Sequence, residues 1–361
     1  MDFCCCVVGW WTILPYQKLY FMFPNKFNTA AFSCAIWLVI ACPCEAQAPL
    51  GVRAQGMAGA FVGVADDATA VYWNPAGLAT GTFVSFVLDY GESETIPSSL
   101  VSPAGGERLT GGMVALSAPP LGLAYYRTGE YAAGPREAAA PGALGREEVR
   151  RSVHALTTSN LAATLLQSLG HYVVVGGTIK LVRGEAAQGF TGSIGAEQAV
   201  EDAAGLPRTG STTWDVDLAA MVAVEHFRVG GVVRHLATPA FTVGSVETEV
   251  VELERQARVG GAWGSGWPGM SRVVLAVDSD VLSRTTMSGE RRDVAVGIET
   301  WWLGQRLGVR GGMRGSTVGE ARSVYAGGAS VALKHGIYVD AHLDRGDDDE
   351  RSWSIGARFT F

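Results

Sequence analysis

After Cys44 the chain contains no cysteine; all six of its cysteines (Cys4, Cys5, Cys6, Cys34, Cys42 and Cys44) fall in the first 44 of 361 residues. Everything downstream therefore lacks a disulfide framework, a thiolate metal site and a cysteine nucleophile. The distribution fits a protein exported to an oxidising compartment. Positive charge is scarce as well: 28 Lys and Arg stand against 35 Asp and Glu, net −7, so there is no basic footprint for nucleic acid. Charged residues make up 17% of the chain, low for a soluble protein. The longest apolar runs stop short of the roughly 20 residues with which a helix spans a bilayer. The histidines His154, His171, His226, His235, His335 and His342 form no H-x-x-x-H or H-E-x-x-H pattern, so no metal site is expected. No spacing marks a catalytic residue or a cofactor.

The N-terminus reads as a secretory signal over residues 1–48, with Met22 as an alternative start. Asn25-Lys26 makes a weakly basic region, Ala30 to Ala41 an apolar one, and Ala46-Gln47-Ala48 a small-residue cleavage site. Val39-Ile40-Ala41-Cys42 also has the form of a lipoprotein box.

What the chain has in abundance is glycine, at 47 residues, and alternation of apolar with polar side chains. Fourteen period-2 runs are expected at 82–90, 111–118, 121–128, 151–168, 171–184, 212–225, 228–237, 249–263, 271–280, 290–303, 305–314, 322–334, 336–344 and 351–361. In 151–168 the stretch from Leu161 to Leu169 also suits a helix. Short turns alternate with long polar connections, the layout of an outer-membrane β-barrel with turns periplasmic and loops outside. An even strand number brings both ends of the barrel to the periplasmic side. In the last run Trp353, Ile355, Ala357, Phe359 and Phe361 share one face, and Ser354, Gly356, Arg358 and Thr360 the other. A soluble barrel has the same alternation with its faces reversed, so alternation alone does not separate the two. Aromatic placement supports the membrane. Tyr90, Trp214, Tyr325 and Trp353 lie near expected outer ends, and Trp263, Trp267, Trp301, Trp302, Phe227, Phe359 and Phe361 near inner ends or turns. The class expected is all-β: a transmembrane antiparallel β-barrel of about 14 strands over residues 81–361.

Residues 49–80 do not alternate. Asp66-Asp67 can cap a short helix through Thr69-Ala70-Val71, Asn74-Pro75 is a second helix start, and Gly77 allows a tight reversal. Such turns cannot bury their own apolar side chains and must pack inside something else. Arg53-Ala54-Gln55-Gly56-Met57-Ala58-Gly59-Ala60-Phe61, then Ala65-Asp66-Asp67-Ala68, then Tyr72-Trp73-Asn74-Pro75-Ala76-Gly77-Leu78 resembles the N-terminal signature of the FadL superfamily of outer-membrane barrels. That group includes long-chain fatty acid transporters and PorV/PorQ-type proteins. The resemblance implies that residues 49–80 form a hatch inside the lumen, with Asn74-Pro75-Ala76 as its Asn-Pro-Ala motif. It also implies passive uptake of a hydrophobic or amphipathic small molecule. The alternative it carries is a PorV-like, non-transporting partner of secretion-system proteins. An outer-membrane lipid hydrolase is a remote third reading, because Ser and His are present but no motif groups them with a carboxylate.

Candidate lumen charges are Lys180, Arg234, Asp278, Glu299, Arg310, Arg314, Asp340, His342 and Arg358. Charges inside a membrane barrel must be paired or hydrated, so an ion-pair network holding the hatch is expected, with a substrate relay as the alternative. Phe359 and Phe361 resemble the C-terminal insertion signal read by the barrel-assembly machinery, and outer-membrane lipid is the expected surroundings. Gly264-Ser265-Gly266-Trp267-Pro268-Gly269 matches G-x-G-x-x-G, but with strands on both sides and a proline inside it reads as a turn. Asp347-Asp348-Asp349 with Glu350 is expected to be a solvated loop, with loose divalent-cation binding as the alternative.

Overall fold

A computed structural model of the chain describes residues 49–97, 103–138, 149–242, 250–265, 273–286, 289–319, 321–347 and 349–361. The segment 1–48, Trp267, Asp348 and most of the Gly264-to-Gly269 run lie outside these residues.

Fourteen strands form the barrel: β1 Ser85–Thr95, β2 Gly106–Ala118, β3 Leu121–Ala133, β4 Val149–Leu169, β5 Val173–Thr191, β6 Thr209–Val224 and β7 Phe227–Arg234, then β8 Gln256–Gly264, β9 Val273–Asp280, β10 Asp293–Trp302, β11 Leu307–Ser316, β12 Ser323–Lys334, β13 Ile337–Gly346 and β14 Glu350–Thr360. Each pairs antiparallel with its neighbour in sequence. The ring closes where β1 meets β14, from Ser85↔Thr360 to Thr95↔Glu350. Closure removes the unpaired edges that a bilayer cannot solvate.

The faces settle what alternation left open. On β13 Tyr338, Asp340, His342 and Asp344 are buried, while Val339, Ala341, Leu343 and Arg345 are exposed. Leu343 is 70% exposed and Asp340 only 4%. A barrel in water would bury the leucine. Apolar outside and charged inside is the arrangement for lipid. Tyr90, Trp214, Tyr325 and Trp353 are exposed toward the outer ends of their strands, as an interfacial belt requires. Trp301 is a correction. It turns into the lumen, edge-on to Tyr338 at 5.5 Å.

Several strands outrun the expected spans. β3 runs on to Ala133 and β5 to Thr191, past the expected ends at 128 and 184, and β4 with 21 residues and β5 with 19 far exceed the roughly 9–11 that cross a membrane. The stretch from Leu161 to Leu169 is strand. Beyond the bilayer both faces of a strand carry polar residues, so the period-2 signal fades where the strand continues. Two expected runs also lose an end to short hairpins. Ala240–Thr242 pairs with Val250–Glu252, and Arg284–Thr286 with Gly289–Arg291. The first hairpin folds into the outer mouth of the lumen, where Phe241 and Leu253 pack on Leu156, Val182 and Ala186.

The segment before β1 lies inside the barrel. It holds α1 Val52–Gln55, α2 Ala70–Trp73 and a 3₁₀ turn at Pro75–Thr80. Met57, Phe61 and Trp73 are fully buried against wall residues such as Met113, Ala124 and Ala276. Burying each such side chain contributes about 1.5–3 kcal/mol. Outside the wall, α3 (Ala196–Ala204) packs Ala199, Val200 and Ala203 against Ala133 and Val153 at the outer ends of β3 and β4.

Candidate functional site

The internal segment meets the wall through a set of directed polar contacts. Arg53, on α1, donates Nε and Nη2 to the two carboxylate oxygens of Glu299 on β10, at 2.7 and 2.6 Å. Its Nη1 reaches Asp67 Oδ2 at 3.1 Å and also contacts Asp66. One guanidinium thus ties the wall to the Asp66-Asp67 turn. A planar fork suits that two-sided, bidentate task. Asp67 Oδ1 accepts from Thr69 N at 3.0 Å, just ahead of α2. Neither aspartate caps α2, whose N-cap is Thr69 with no side-chain cap bond; Asp67 orders the turn before it, and Asp66 serves Arg53.

Further round the wall, Asp278 on β9 accepts the backbone N–H groups of Phe61 and Val62, each at 2.8 Å. Arg258 on β8 reaches Gly59 O at 3.0 Å. Asn74 occupies the expected cap: its Oδ1 accepts from Ala76 N at 3.2 Å, and its Nδ2 donates to Val62 O at 2.8 Å. Pro75 follows at the first position of the 3₁₀ turn. Gly77 is needed for a reason other than a reversal. A Cβ there would lie 2.1 Å from Ala65 O.

Of the other expected lumen charges, Glu299, Arg310, Asp340 and Arg358 form one alternating chain along β10, β11, β13 and β14. Arg310 lies 3.6 Å from Glu299 and 3.4 Å from Asp340, and Arg358 lies 3.2 Å from Asp340. Ser330 on β12 bonds both Arg310 and Asp340. Arg358 also stacks over Tyr338 at 4.5 Å. Arg234, on β7, is separate and stacks over Tyr72 at 4.2 Å. Arg314 pairs with Glu350, which points into the lumen and not into the outer loop.

A second cluster was only partly anticipated. Lys180 Nζ sits 2.7 Å from both Asp215 and Asp217. His235 Nδ1 is 2.7 Å from Asp215 Oδ2. The two carboxylates and the imidazole are arranged closely enough to hold a metal ion. The ammonium already fills that role, as the cation between both carboxylates. Asp215 and Asp217 could have been found from the sequence, because they alternate with Trp214, Val216 and Leu218 on one strand. Arg53 could have been found as the lone cation of residues 49–80.

The wall receives the internal segment on glycines. A Cβ on Gly176 would lie 2.7 Å from Ala76 N, one on Gly230 2.5 Å from Asn74 Nδ2, and one on Gly312 2.5 Å from the Met57 backbone. Strand pairing around the barrel is continuous among the described residues, with one register shift at Ala332/Lys334. At the periplasmic end a cavity of about 290 Å³ lies between Asp66, Thr82, Trp301, Tyr338 and Arg358.

Comparisons place this geometry. A family model described as "F plasmid transfer operon, TraF, protein" matches residues 152–280, less than half of the chain. No curated protein matches. Among solved structures, the CymD monoaromatic hydrocarbon channel is similar with a TM-score of 0.54 at 12% identity, over 86% of this chain and 97% of that one. The Ralstonia pickettii toluene transporter TbuX gives 0.54 at 12%, over 85% and 98%. A Pseudomonas aeruginosa FadL homologue gives 0.54 at 11%, over 86% and 98%. At these identities the likeness establishes the fold, a FadL-type fourteen-stranded outer-membrane barrel; the first two of these neighbours are described as a channel and a transporter.

Proposed function

We propose that this chain, which has the FadL-type barrel fold, is a passive outer-membrane conduit for hydrophobic or amphipathic small molecules, with residues 49–80 as its hatch and with no enzymatic step. The observation that carries the reading is the lumen itself. A general-diffusion pore keeps a polar, water-filled channel. Here the hatch fills the middle of the lumen, and an apolar cluster of Leu156, Val182, Ala186, Phe241 and Leu253 lies at its outer mouth. A plugged passage packed with apolar side chains at its mouth, in place of an open water-filled one, suits selective transfer of apolar solutes. That two of the neighbours are described as a monoaromatic hydrocarbon channel and a toluene transporter supports the same reading. The ion-pair chain from Glu299 to Arg358 positions the hatch and has no relay role in this reading.

The close fit of hatch backbone on wall glycines favours a second reading, in which the plug stays in place and the barrel serves as a partner in protein secretion or surface attachment. The test compares cells with and without the protein for uptake of labelled toluene and of a labelled long-chain aliphatic acid. The transport reading expects uptake of at least one to rise and to saturate. It expects Asn74→Ala with Pro75→Ala to change that uptake at unchanged barrel yield. No rise for either probe, with heat-modifiable barrel present, overturns transport of these classes and leaves the partner reading.

A further inference from the structure

We propose that the outer wall of the barrel carries a binding groove for a phosphorylated outer-leaflet lipid of the lipid A class, held together with the divalent cations that bridge its phosphates. The groove, about 570 Å³, lies between α3 and the wall. Arg108, Arg345 and Arg351 line its wall side together with Asp349 of the turn between β13 and β14, and Glu197 and Glu201 line its helix side. The wall residues point away from the lumen. Arg345 shares its face with Leu343 on β13, and Arg351 shares its face with Trp353 on β14.

Height on the wall identifies the occupant. Arg345 comes two residues beyond Leu343, which is 70% exposed, and Arg351 two residues outside Trp353. The same step occurs elsewhere: Arg127 stands two residues beyond the exposed Tyr125 on β3. Arginine thus follows directly where the lipid-facing band ends, at the level of outer-leaflet headgroups. Trp353 and Tyr90 touch at 5.9 Å and mark that boundary beneath the groove.

Charge narrows the choice further. Arg108 is committed to Glu92, Glu94 and Glu201, and Arg351 to Glu94 at 2.9 Å. Arg345 is exposed and has no ion pair among the described residues. The helix side offers carboxylates, with Glu201 63% exposed. A bare anion would meet Arg345 and be repelled by Glu197, Glu201 and Asp349. A phosphate that brings its own divalent cation satisfies both sides, since hard cations take carboxylate and phosphate oxygens together. Ile96 and Pro97 add an apolar patch beside them.

The experiment uses folded, delipidated protein in mild detergent, with Kdo2-lipid A as the probe, read by native mass spectrometry and by the thermal midpoint of the heat-modifiable band. Wild type should retain the lipid in magnesium and lose it in EDTA. Arg345→Gln with Arg351→Gln should weaken retention about tenfold or more, since each arginine near an anionic surface contributes a comparable share. Glu197→Gln with Glu201→Gln should remove the magnesium dependence. Arg306→Gln, an exposed arginine in the turn at the opposite end of the barrel, should change nothing. All of these positions lie outside the lipid-facing band and the lumen, so assembly serves as the internal control. Equal retention by the Arg345/Arg351 variant, equal loss in Arg306→Gln, or preference of wild type for phosphatidylcholine would each overturn the proposal.

Discussion

Arg53 and Glu299, 246 residues apart in sequence, face each other as a two-pronged ion pair at 2.7 and 2.6 Å inside the barrel. The pair joins the one cation of residues 49–80 to a wall strand at a place where both side chains are largely buried, beside the periplasmic cavity. Burying two charges is costly, and the geometry offsets that cost only because the remaining donor of Arg53 is taken by Asp66 and Asp67. The contact therefore fixes position more than it adds net stability. It sets where α1 sits against β10 and, through Asp67, where α2 begins.

Arg53→Ala should leave Glu299 with Arg310 alone, at 3.6 Å. Removing one member of a buried pair costs about 3–5 kcal/mol, and the remaining arginine places this case toward the lower end. The strands do not depend on Arg53, so the barrel should still assemble. If residues 49–80 act as the proposed hatch, cells should become more sensitive to small antibiotics as that segment loosens. Arg53→Lys should recover only part of the loss, because an ammonium cannot bond both Glu299 oxygens and the turn together. Unchanged sensitivity and unchanged melting in Arg53→Ala would remove the pair from any role in holding the plug.

Much of this was legible in the sequence, and the limits have physical causes. The lumen charges could be found because an isolated Glu299, Arg310, Asp340 or Arg358 stands out on an otherwise small or polar face. Their partnerships could not, since pairing across β10 to β14 depends on register. Asn74 and Pro75 carry their local role in their chemistry, whereas Gly77 does not: its need comes from Ala65 O in a neighbouring turn. Trp301 sits in a sequence pair with Trp302, and only strand phase decides which ring faces lipid. The outer extensions of β3 and β5 lie beyond the expected spans because above the membrane neither face is required to be apolar.

Gly312 and Gly327 should respond in opposite ways to the same substitution. A Cβ on Gly312 would lie 2.5 Å from the Met57 backbone, while one on Gly327 meets nothing within 4 Å. Gly312→Ala should therefore lower the melting point of the folded barrel, by overpacking of about 1–3 kcal/mol, and increase leakage past the plug. Gly327→Ala should leave both unchanged. The two variants compared on heat-modifiable gels separate plug fit from a general effect of losing glycine in a strand. Equal behaviour would mean that the plug yields at Met57 without cost.

Phe361 closes the barrel seam as well as facing outward. Its N–H bonds Val84 O at 2.9 Å, Val84 N bonds Phe361 O at 3.1 Å, and its side chain is 71% exposed. Phe359 meets Phe86 across the same seam at 5.8 Å. Replacing Phe361 with Asp keeps the backbone bonds and places a charge on the lipid face near the interface, a depth at which the cost to the folded barrel is small. A large fall in assembled protein, with normal melting of the fraction that does assemble, is the outcome expected if Phe361 serves recognition by the assembly machinery. Normal yield would restrict it to the seam.

Lys180 supplies the sharpest test of how the buried charges are organised. Its ammonium is 2.7 Å from Asp215 and from Asp217, and His235 closes the group from the side. Lys180→Ala deletes the cation and leaves two carboxylates without it, a loss on the order of 3–5 kcal/mol by the usual cost of breaking a buried ion pair. The ligand set left behind is two carboxylates and one imidazole, whose atoms lie within 4.8 Å of one another. That is a donor set zinc accepts, with water as the fourth ligand. Micromolar zinc should therefore restore much of the melting point of Lys180→Ala and have no effect on wild type, where the ammonium holds the position. Lys180→Ala with Asp215→Asn should not be rescued, because the carboxylate shared with His235 is gone. Rescue of the double variant, or stabilisation of wild type by zinc, would show that the metal acts elsewhere on the barrel and that the ammonium does not stand in a cation site.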